Sequence, residues 1–506
     1  MRFDLTRPLD LTIALAPDLL LMAGAMLLLL ASAWGTESVS RQRAVGRWSI
    51  ALCVLTLAGV IYMWWAGYTA ARGVIAVDPF RWATDVLILL GAILAIALSM
   101  DYLERERIDI AEAHVLILFA TAGMMLLAAA RDLMIVFLGI ELMSIAVYVL
   151  AGLNRRSSRA AEAALKYFLL GAFSTGFLLY GIALVFGATG STNIADIGAA
   201  VITRGLTTNA MLLAGVALLI VGLGFKVALA PFHMWAPDVY EGAPTPMTAF
   251  MAAAVKGAAF AVFLRLWMEG FPYLNIAWHK PLWYLAVFTM LVGNLVALAQ
   301  KNIKRMLAYS SIAHAGYLLV AVVVSNFEGA SAFLFYLFAY TLATMGAFAV
   351  VMALSQIGER GQHIDDYAGL WRTRPALSIA MAVFMLALLG FPIFGGMGFF
   401  AKWYVLQAAL RPPSQTNLAI WLVLTSVVSA GYYLYVVMVM FMKSRPADAA
   451  APLKVPGMTR FVIATCALVL LVVGVWPRPV LRIARMSLPQ LVHLTEDVPR
   501  APVTPR

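Results

Sequence analysis

The sequence has few charged residues and almost no cysteine. Of its 506 residues, 12% are Asp, Glu, Lys or Arg and 63% are hydrophobic, whereas a soluble domain carries about 25% charged residues. This composition excludes a soluble globular protein and indicates a polytopic membrane protein with little extramembrane mass. Cys53 and Cys466 lie singly in apolar runs, with no Cys-x-x-Cys spacing and no neighbouring histidine. We therefore predict no metal site and no iron–sulfur cluster, and two buried thiols.

Acidic residues are scarcer than basic ones, so the formal net charge is +11. Such an excess could indicate nucleic-acid binding, but the basic residues lie in short loops between apolar runs, where membrane insertion explains them. Alternate loops differ in basic content, and the richer set should face the cytoplasm, which places both termini in the periplasm of a bacterial inner membrane. The poorer set of loops holds only Arg72, Arg81, Arg131, Arg204, Arg265, Lys280 and Arg411.

Apolar stretches of helix length recur along the whole chain. We predict an all-α polytopic membrane protein, with residues 1–506 forming a single transmembrane domain of about 14 helices. Each helix is long enough to cross about 30 Å of hydrocarbon at about 1.5 Å per residue. The predicted helices lie near 11–33, 48–69, 82–101, 112–130, 132–153, 162–187, 210–231, 246–268, 281–300, 304–325, 330–354, 376–408, 418–442 and 458–476.

One apolar run, residues 211–250, contains a lysine and then a proline. Lys226 lies about fifteen residues into the run, and Pro231 follows five residues later. An ionisable side chain near the bilayer centre costs roughly 2.5–3.5 kcal/mol on insertion scales, and an interior proline frees a carbonyl that lipid cannot satisfy. Both are tolerable where the helix faces protein or internal water. We interpret Lys226 as a protonatable site on a broken helix.

A second interrupted helix lies near residues 386–404, where Pro392 and four glycines precede Lys402. The two lysines lie in the seventh and twelfth predicted spans, five helices apart. We therefore predict two five-helix repeats, residues 111–270 and 281–445, with flanking helices at both ends. The repeats should have opposite orientations because five is odd. Interrupted segments at matching places in two inverted repeats indicate a translocation site between them.

Four ionisable side chains are predicted deep within spans: Glu141, Lys226, Lys256 and Lys402. One carboxylate and three amines at similar depth predict a line of polar sites across the membrane plane. Burial disfavours the charged form of each group, whereas a close Glu–Lys pair favours both charged forms. A Lys226 that gains or loses Glu141 as a partner would change its proton affinity, as a proton pump requires.

Three further residues are secondary candidates for a proton path. Lys166 lies four residues into its predicted span, where it could relay protons or extend to the interface. His314 lies about ten residues into its span and can titrate near neutral pH, but it could equally be a packing histidine. His233, just after Pro231, could admit protons at the cytoplasmic mouth or hold the loop together.

Two cytoplasmic segments are expected to be solvated. Lys301 and Lys304, at a helix start, are predicted to be interfacial. The loop near 355–375, which contains Glu359, is predicted to be solvated or to contact another subunit. Neither segment is assigned to the proton path.

Several linked motifs recur along the chain. They are Lys226 with Pro231-Phe232-His233-Met234-Trp235-Ala236-Pro237-Asp238-Val239-Tyr240-Glu241-Gly242-Ala243-Pro244, then Gly139-Ile140-Glu141-Leu142, Lys304-Arg305-Met306-Leu307-Ala308-Tyr309, and Gly398-Phe399-Phe400-Ala401-Lys402. Together they resemble the antiporter-like membrane subunits of respiratory complex I, the bacterial NADH–quinone oxidoreductase, and among them the N-type branch. The resemblance covers essentially the whole chain.

The resemblance implies a proton-translocating membrane-arm subunit that couples quinone reduction to proton pumping. In this family Glu141 would modulate Lys226, Lys256 would relay protons to the second half, and Lys402 would pass them to or from the far side. Flavin, iron–sulfur clusters and quinone would be held by partner subunits, with none on this chain. Adjacent antiporter-like and small membrane subunits would be its neighbours. The segment Gly390-Phe391-Pro392-Ile393 departs from the family's usual Gly-Ile-Pro-Pro.

Other functions remain open at the level of sequence. Subunits of multisubunit cation/proton antiporters and of membrane-bound hydrogenases share the broken helices and lysines. A passive scaffold, with charges that serve assembly only, is a further alternative. Genes for a peripheral redox arm beside this one would favour the complex I subunit.

Overall fold

The computed structural model describes residues 2–34, 38–70, 73–108, 110–392, 395–412, 415–445 and 454–488. Within these ranges the chain is a bundle of long apolar helices with one very short parallel strand pair, β1 (Arg2–Phe3) and β2 (Thr69–Ala70). Two residues discussed above lie outside the described residues: Arg72, predicted in a loop, and Ile393, the last residue of the segment that differs from the family's usual Gly-Ile-Pro-Pro.

The first helices flank the two predicted repeats. A short helix leads into three long helices, and the third of these starts at an aspartate whose side chain caps the first turn, as is common at helix N-termini. The helices are α1 (Pro8–Ala14), α2 (Ala16–Ala33), α3 (Val39–Trp65) and α4 (Pro79–Arg105).

The next helices correspond to the first predicted repeat. A single continuous span near its end alternates between α- and π-helix. The helices are α5 (Glu112–Ala128), α6 (Leu133–Ala151), α7 (Ser158–Thr189), α8 (Ile194–Thr203), α9 (Ala210–Lys226), α10 (Trp235–Gly242), α11 (Thr245–Phe250) and α12 (Lys256–Arg265), with π-helical turns at Met251–Val255 and Leu266–Gly270.

The remaining helices correspond to the second predicted repeat and the C-terminal flank. They are α13 (Asn275–Leu298), α14 (Ile303–Val324), α15 (Phe327–Leu354), α16 (Leu370–Thr373), α17 (Pro375–Leu389), α18 (Met397–Leu410), α19 (Thr416–Met442), α20 (Gly457–Val475) and α21 (Arg478–Met486).

The all-α polytopic architecture is confirmed, with some changes in detail. Among the described residues, 11 helices are long and apolar enough to cross a membrane, and several shorter apolar helices accompany them. The interruption predicted near 386–404 divides the predicted span 376–408 into α17 and α18, because left-handed Gly390 ends α17. The predicted helix 210–231 ends at Lys226, before Pro231. The predicted loop 188–209 contains α8.

Close glycine contacts join the first two helices of each predicted repeat. A Cβ on Gly123 would lie 2.5 Å from the Met143 nitrogen, so α5 and α6 meet backbone to backbone. In the second repeat, a Cβ on Gly293 would lie 2.4 Å from the Ala313 nitrogen, at the contact of α13 with α14. Small residues let membrane helices approach closely, and dispersion then holds them together without a hydrophobic driving force. The two repeats thus begin with the same kind of helix pair.

The innermost spans are Thr245–Gly270, Ile303–Val324 and Phe327–Leu354, of which nearly all residues are buried within the protein. Side chains on these spans are shielded from lipid, so polar groups there can bind one another. The centre of the bundle is therefore where a path for protons can exist.

The expectation of only four deep ionisable groups is wrong. Other charged side chains are fully buried because carboxylates and guanidinium groups from different helices meet inside the bundle, as buried charges require. Those assigned to loops from the sequence include Arg81 and Arg265, which are 0% and 1% exposed. Lys304, predicted to be interfacial, is 0% exposed.

Candidate proton path

A tryptophan side chain donates a hydrogen bond to the backbone at the first helix break. Helix α9 ends at Lys226, and its last carbonyl groups accept from the turn that follows, among them Phe225 from the Ala228 N–H. The indole Nε1 of Trp235 donates a hydrogen bond of 2.9 Å to the carbonyl oxygen of Phe225. The break therefore leaves the Lys226 side chain free to point away from its own helix without exposing that carbonyl to lipid.

Lys226 is buried and held by two hydroxyl groups of α6. Its Nζ lies 2.7 Å from Ser144 Oγ and 3.1 Å from the Tyr148 hydroxyl, and it donates to both. Ser144 in turn donates to the carbonyl oxygen of Ile140. The amine is thus bound by neutral acceptors, which stabilise its charged form without fixing a counter-ion beside it.

Glu141 lies on the same face of α6, three and seven residues before these hydroxyl groups. It is partly exposed and accepts a hydrogen bond of 2.8 Å from Thr175 Oγ1. It forms no ion pair with Lys226 within 4.0 Å. The predicted Glu–Lys partners therefore share a site but are separated by neutral groups.

Lys256 lies where the π-helical turn Met251–Val255 gives way to α12. Its buried Nζ donates to the Ser311 carbonyl oxygen at 2.9 Å and to Ser311 Oγ at 2.5 Å. The Tyr340 hydroxyl donates to the same Oγ at 2.9 Å. A π-helical turn shifts the register of the side chains that follow it, and such turns are frequent at functional sites. Ser311 therefore links Lys256 directly to Tyr340.

His314 is buried one turn after Ser311, and both of its ring nitrogens contact phenol groups. Nδ1 lies 2.7 Å from the Tyr336 hydroxyl, and Nε2 lies 3.1 Å from the Tyr433 hydroxyl. The imidazole ring also packs on Tyr340, with ring centroids 5.1 Å apart. A neutral imidazole can donate through one nitrogen and accept through the other, so His314 is placed as a two-sided relay.

Lys402 closes the second helix break. Its Nζ donates at 2.9 Å to the carbonyl oxygen of Leu389, the last residue of α17, and lies 4.5 Å from the centre of the Tyr317 ring. Gly390 follows in the left-handed conformation (φ +76°), and a Cβ there would lie 2.8 Å from Lys402 Cδ. Only glycine fits this position comfortably. The freed carbonyl and the lysine thus satisfy each other.

A small cavity lies between His314 and Lys402 and is also lined by Tyr336 and Tyr340. The volume of the cavity is about 10 Å³, which is about the space that the centre of one water molecule needs. Its walls present two phenol groups, an imidazole and an amine. The cavity can therefore connect Tyr340, His314 and Lys402 through a single water molecule.

Tyr240 lies between the Lys226 and Lys256 groups. Its hydroxyl is fully buried and makes no hydrogen bond, although Ser311, Tyr340 and Tyr167 are its polar neighbours. Tyr167 in turn packs edge-on against Tyr148, the ligand of Lys226, at 4.8 Å. Buried polar atoms without partners are rare in proteins. This hydroxyl therefore lies between the two lysine groups, and the His233 imidazole, beside the first break, also lies within electrostatic range of Lys256.

The sequence reasoning missed these hydroxyl groups. Ser, Thr and Tyr residues are common in membrane helices, so their identity alone carries no signal. Helical spacing could have found some of them: Ser144 and Tyr148 follow Glu141 on one face, and Ser311 precedes His314 by three residues. The phenol groups of Tyr240 and Tyr340 are brought in from other helices, which only the tertiary fold reveals.

Of the three secondary candidates, His314 lies within this line, whereas Lys166 lies outside it and His233 lies beside the first break. Lys166 is 41% exposed and pairs with Asp238 at 2.8 Å and with Glu162 at 2.7 Å. Asp238 also pairs with Arg305 at 2.7 Å. His233 is half-buried in the segment after the first break, and its Nδ1 makes no hydrogen bond. Lys166 therefore belongs to a surface ion network, whereas His233 lies beside the break.

A polar cavity of about 320 Å³ opens at the end of the bundle where α10 meets α11, and Arg159, Glu241 and Glu359 are among its lining residues. Glu359 pairs with Lys304 at 2.7 Å and accepts from the Thr245 backbone and hydroxyl at 2.7 Å. Burial raises the pKa of Glu359, but the Lys304 charge and these hydrogen bonds outweigh it and hold the pKa below its usual value.

This contact defines the surroundings of two segments. Lys304, in the first turn of α14, is shielded within the protein by its pair with Glu359, and its interfacial depth stays a prediction. The first part of the loop 355–375 is not simply solvated, because Glu359 caps the start of α11 in the other half of the chain. The loop therefore connects the two halves beside the mouth of the polar cavity.

Comparisons with known proteins agree with one another. Residues 130–431 match the family described as NADH:quinone oxidoreductase/Mrp antiporter, TM. The chain is 54% identical over 484 residues to the NADH-quinone oxidoreductase subunit N of Gemmatimonas aurantiaca, covering 94% of this chain and 93% of that protein. It is similar to a chain of respiratory complex I from Thermus thermophilus with bound aureothin, with a TM-score of 0.78, 37% identity, and coverage of 93% of this chain and 99% of that one. A chain of the Mrp complex from Dietzia, 20% identical, shares the fold with a TM-score of 0.82 over 96% of this chain and 98% of that one.

Proposed function

Because the chain belongs to the NADH:quinone oxidoreductase/Mrp antiporter transmembrane family, we infer that it is the N subunit of a bacterial NADH:quinone oxidoreductase. It is a membrane-arm subunit that translocates protons while the complex reduces quinone. The observation that carries the mechanism is the buried sequence of polar groups from Lys226 through Lys256 and His314 to Lys402. Such groups are costly in a membrane and are retained where they move ions.

The first step concerns Glu141 and Lys226. Neutral hydroxyl groups separate them, so a small movement of either side chain changes the field that the other experiences. Negative charge on Glu141 favours the protonated amine, and protonation or withdrawal of Glu141 favours its release of a proton. Glu141 thus acts as a positioning and electrostatic group, whereas Lys226 binds the proton.

The second step moves the proton toward the other half of the chain. Lys256 donates to Ser311, and Ser311 Oγ also contacts the Tyr340 hydroxyl. The Ser311 and Tyr340 hydroxyl groups form a hydroxyl row, and each of its oxygens can accept one proton and release another after the hydroxyl group rotates. The Tyr240 hydroxyl, which has no hydrogen-bond partner, can swing toward Ser311 and so join the Lys226 side to the Lys256 side.

The third step connects His314 with Lys402. A water molecule in the small cavity between them would touch both, and His314 passes a proton by accepting it on one nitrogen and releasing it from the other. Lys402 then exchanges the proton with the far side of the membrane. Among the secondary candidates, His233 is proposed as an entry group beside the first break, and Lys166 as part of the entry surface.

Two features of the architecture support this proposal. The five-helix units 111–270 and 281–445 each begin with a glycine-mediated helix pair and each contain a broken helix that a buried lysine adjoins. We propose that they are inverted repeats, with the polar line at their junction. From the excess of basic residues in alternate loops, we also propose that both termini face the periplasm.

The redox chemistry is proposed to lie on partner subunits, which carry the flavin, the iron–sulfur clusters and the quinone site. The partners in the membrane are proposed to be the adjacent antiporter-like and small membrane subunits. Cys53 and Cys466 are buried free thiols on separate helices.

A matched pair of lysine variants tests the function. Lys256→Met in the assembled complex should abolish most proton pumping and slow coupled quinone reduction, because the methionine keeps the length of the side chain and cannot carry a proton. Lys280→Met, at an exposed lysine, should have no effect. Full pumping by an assembled Lys256→Met complex would contradict the proposed path.

A cation/proton exchanger is the second candidate, because the Mrp complex shares the fold. The two functions differ in what drives transport. NADH-driven acidification of vesicles that needs no sodium gradient supports the pump, whereas sodium-dependent proton movement without NADH would support the exchanger.

A further inference from the structure

A second group of buried ionisable side chains lies apart from the lysine line, where α2, α4 and the end of α12 meet. Carboxylates outnumber guanidinium groups in it by four to three. Its members are Asp18, Asp78, Arg81, Asp85, Arg131, Arg265 and Glu269. The one extra carboxylate lies in the half of the group that contains Arg81, as the contacts of each half show.

One half of the group is balanced. Arg265 donates to both carboxylate oxygens of Asp78, at 2.7 and 3.0 Å, and to Glu269 at 2.9 Å. Arg131 pairs with the other oxygen of Glu269 at 3.3 Å. Two cations and two carboxylates satisfy one another here, as buried ion pairs must.

The other half has one guanidinium group for two carboxylates. Arg81 pairs with Asp18 at 2.5 Å and donates to the carbonyl oxygens of Ala14 and Ala76. Its remaining nitrogen, Nε, lies 3.4 Å from Asp85 and makes no hydrogen bond with it. The guanidinium group is therefore committed to Asp18 and to the backbone.

Asp85 is left without adequate partners. It is 0% exposed, and neither of its carboxylate oxygens accepts a hydrogen bond. The charged groups facing it are Arg81 and Asp78 from its own end of α4 and Asp18 from α2. Two of these three are negative. An ionised carboxylate in this position is desolvated, lacks hydrogen-bond donors and is repelled by its neighbours, whereas binding one proton removes all three penalties.

We propose that Asp85 is a proton-binding site within the N-terminal helices, separate from the lysine line. One proton on Asp85 makes the Asp18–Arg81–Asp85 triad neutral overall. In this arrangement the negative charge stays on Asp18, whose Oδ2 binds Arg81 at 2.5 Å although its Oδ1 has no hydrogen-bond partner. The pair of carboxylates shares one guanidinium group and one proton.

The site lies near the height of Lys256 in the membrane. Leu87, two residues after Asp85, packs against Gly257, where a Cβ would lie 3.0 Å from the leucine. Further down the same pair of helices, Asp78 contacts Arg265. Helix α4 therefore runs along the span that carries Lys256.

Infrared spectroscopy of the assembled complex tests this assignment. A protonated carboxyl group has a C=O stretching band that an ionised carboxylate lacks. Asp85→Asn should assemble normally, because the amide matches the shape and neutrality of the protonated acid, and it should lose one such band relative to wild type. Glu104→Gln, at an exposed carboxylate paired with Arg43, should leave these bands unchanged.

A second variant decides the question independently of Asp85→Asn assembly. Asp18→Asn removes the counter-ion of Arg81, so Asp85 should ionise to replace it, and the same band should disappear although Asp85 is still present. Loss of the band in either variant supports the proposal. Retention of the full set of bands in an assembled Asp85→Asn complex, or in Asp18→Asn, would overturn it.

Discussion

Replacing Ser311 with alanine tests the proposed path most directly. The Ser311 hydroxyl joins Lys256 to Tyr340, since it accepts from the amine at 2.5 Å and from the phenol at 2.9 Å. Ser311→Ala removes this oxygen and retains the backbone carbonyl that also binds Lys256. The lysine therefore stays in place while its connection to Tyr340 is cut.

The expected effect follows from the strength of this bond. A hydrogen bond to a charged group contributes roughly 1.5–3 kcal/mol, and each 1.4 kcal/mol corresponds to about a tenfold change in rate. Because the retained carbonyl compensates in part, we expect the lower end of this range. Coupled quinone reduction and pumping should therefore fall by about tenfold.

The assay is NADH-driven acidification of vesicles that contain the purified complex, measured together with quinone reduction. Ser311→Thr keeps a hydroxyl and should retain most activity. Ser331→Ala is the matched control, because this buried serine bonds only to a carbonyl of its own helix. Normal pumping by an assembled Ser311→Ala complex would refute the role of the hydroxyl row.

Three further predictions concern Tyr240 between the two lysine groups, Gly390 at the second helix break, and Glu359 in the loop 355–375. Tyr240→Phe should leave thermal stability unchanged, because the lost hydroxyl makes no hydrogen bond, yet it should lower pumping; unaltered pumping would remove this residue from the path. Gly390→Ala should cost about 1–2 kcal/mol of backbone strain and displace Lys402, lowering coupled turnover, whereas Gly205→Ala carries similar strain with nothing within 4 Å and should not change turnover. Glu359→Gln should lower the melting temperature at pH 7, and because the pKa of Glu359 is lowered in the folded protein, the difference from wild type should disappear as the pH falls through that pKa; a difference that persists in acid would exclude the ion pair as its cause.

The sequence by itself determined the class of the protein, its broken helices and its principal ionisable residues. These follow from the cost of placing charge or a proline in hydrocarbon, which makes Lys226 and Lys402 conspicuous in an apolar chain. Their motifs then indicated the family. The cost of burying charge in hydrocarbon is therefore enough to identify the individual lysines from the sequence.

Only the tertiary structure decided what each lysine touches. Lys256 meets Ser311 from another helix, and Lys304, predicted to be interfacial, is buried because Glu359 returns from a distant loop to neutralise it. Asp85 lies near the start of the predicted helix 82–101, but its surroundings of two carboxylates and one guanidinium group are formed only when distant helices pack together. The free energy of a buried charge depends on partners within a few ångströms, and helices far apart in sequence supply those partners.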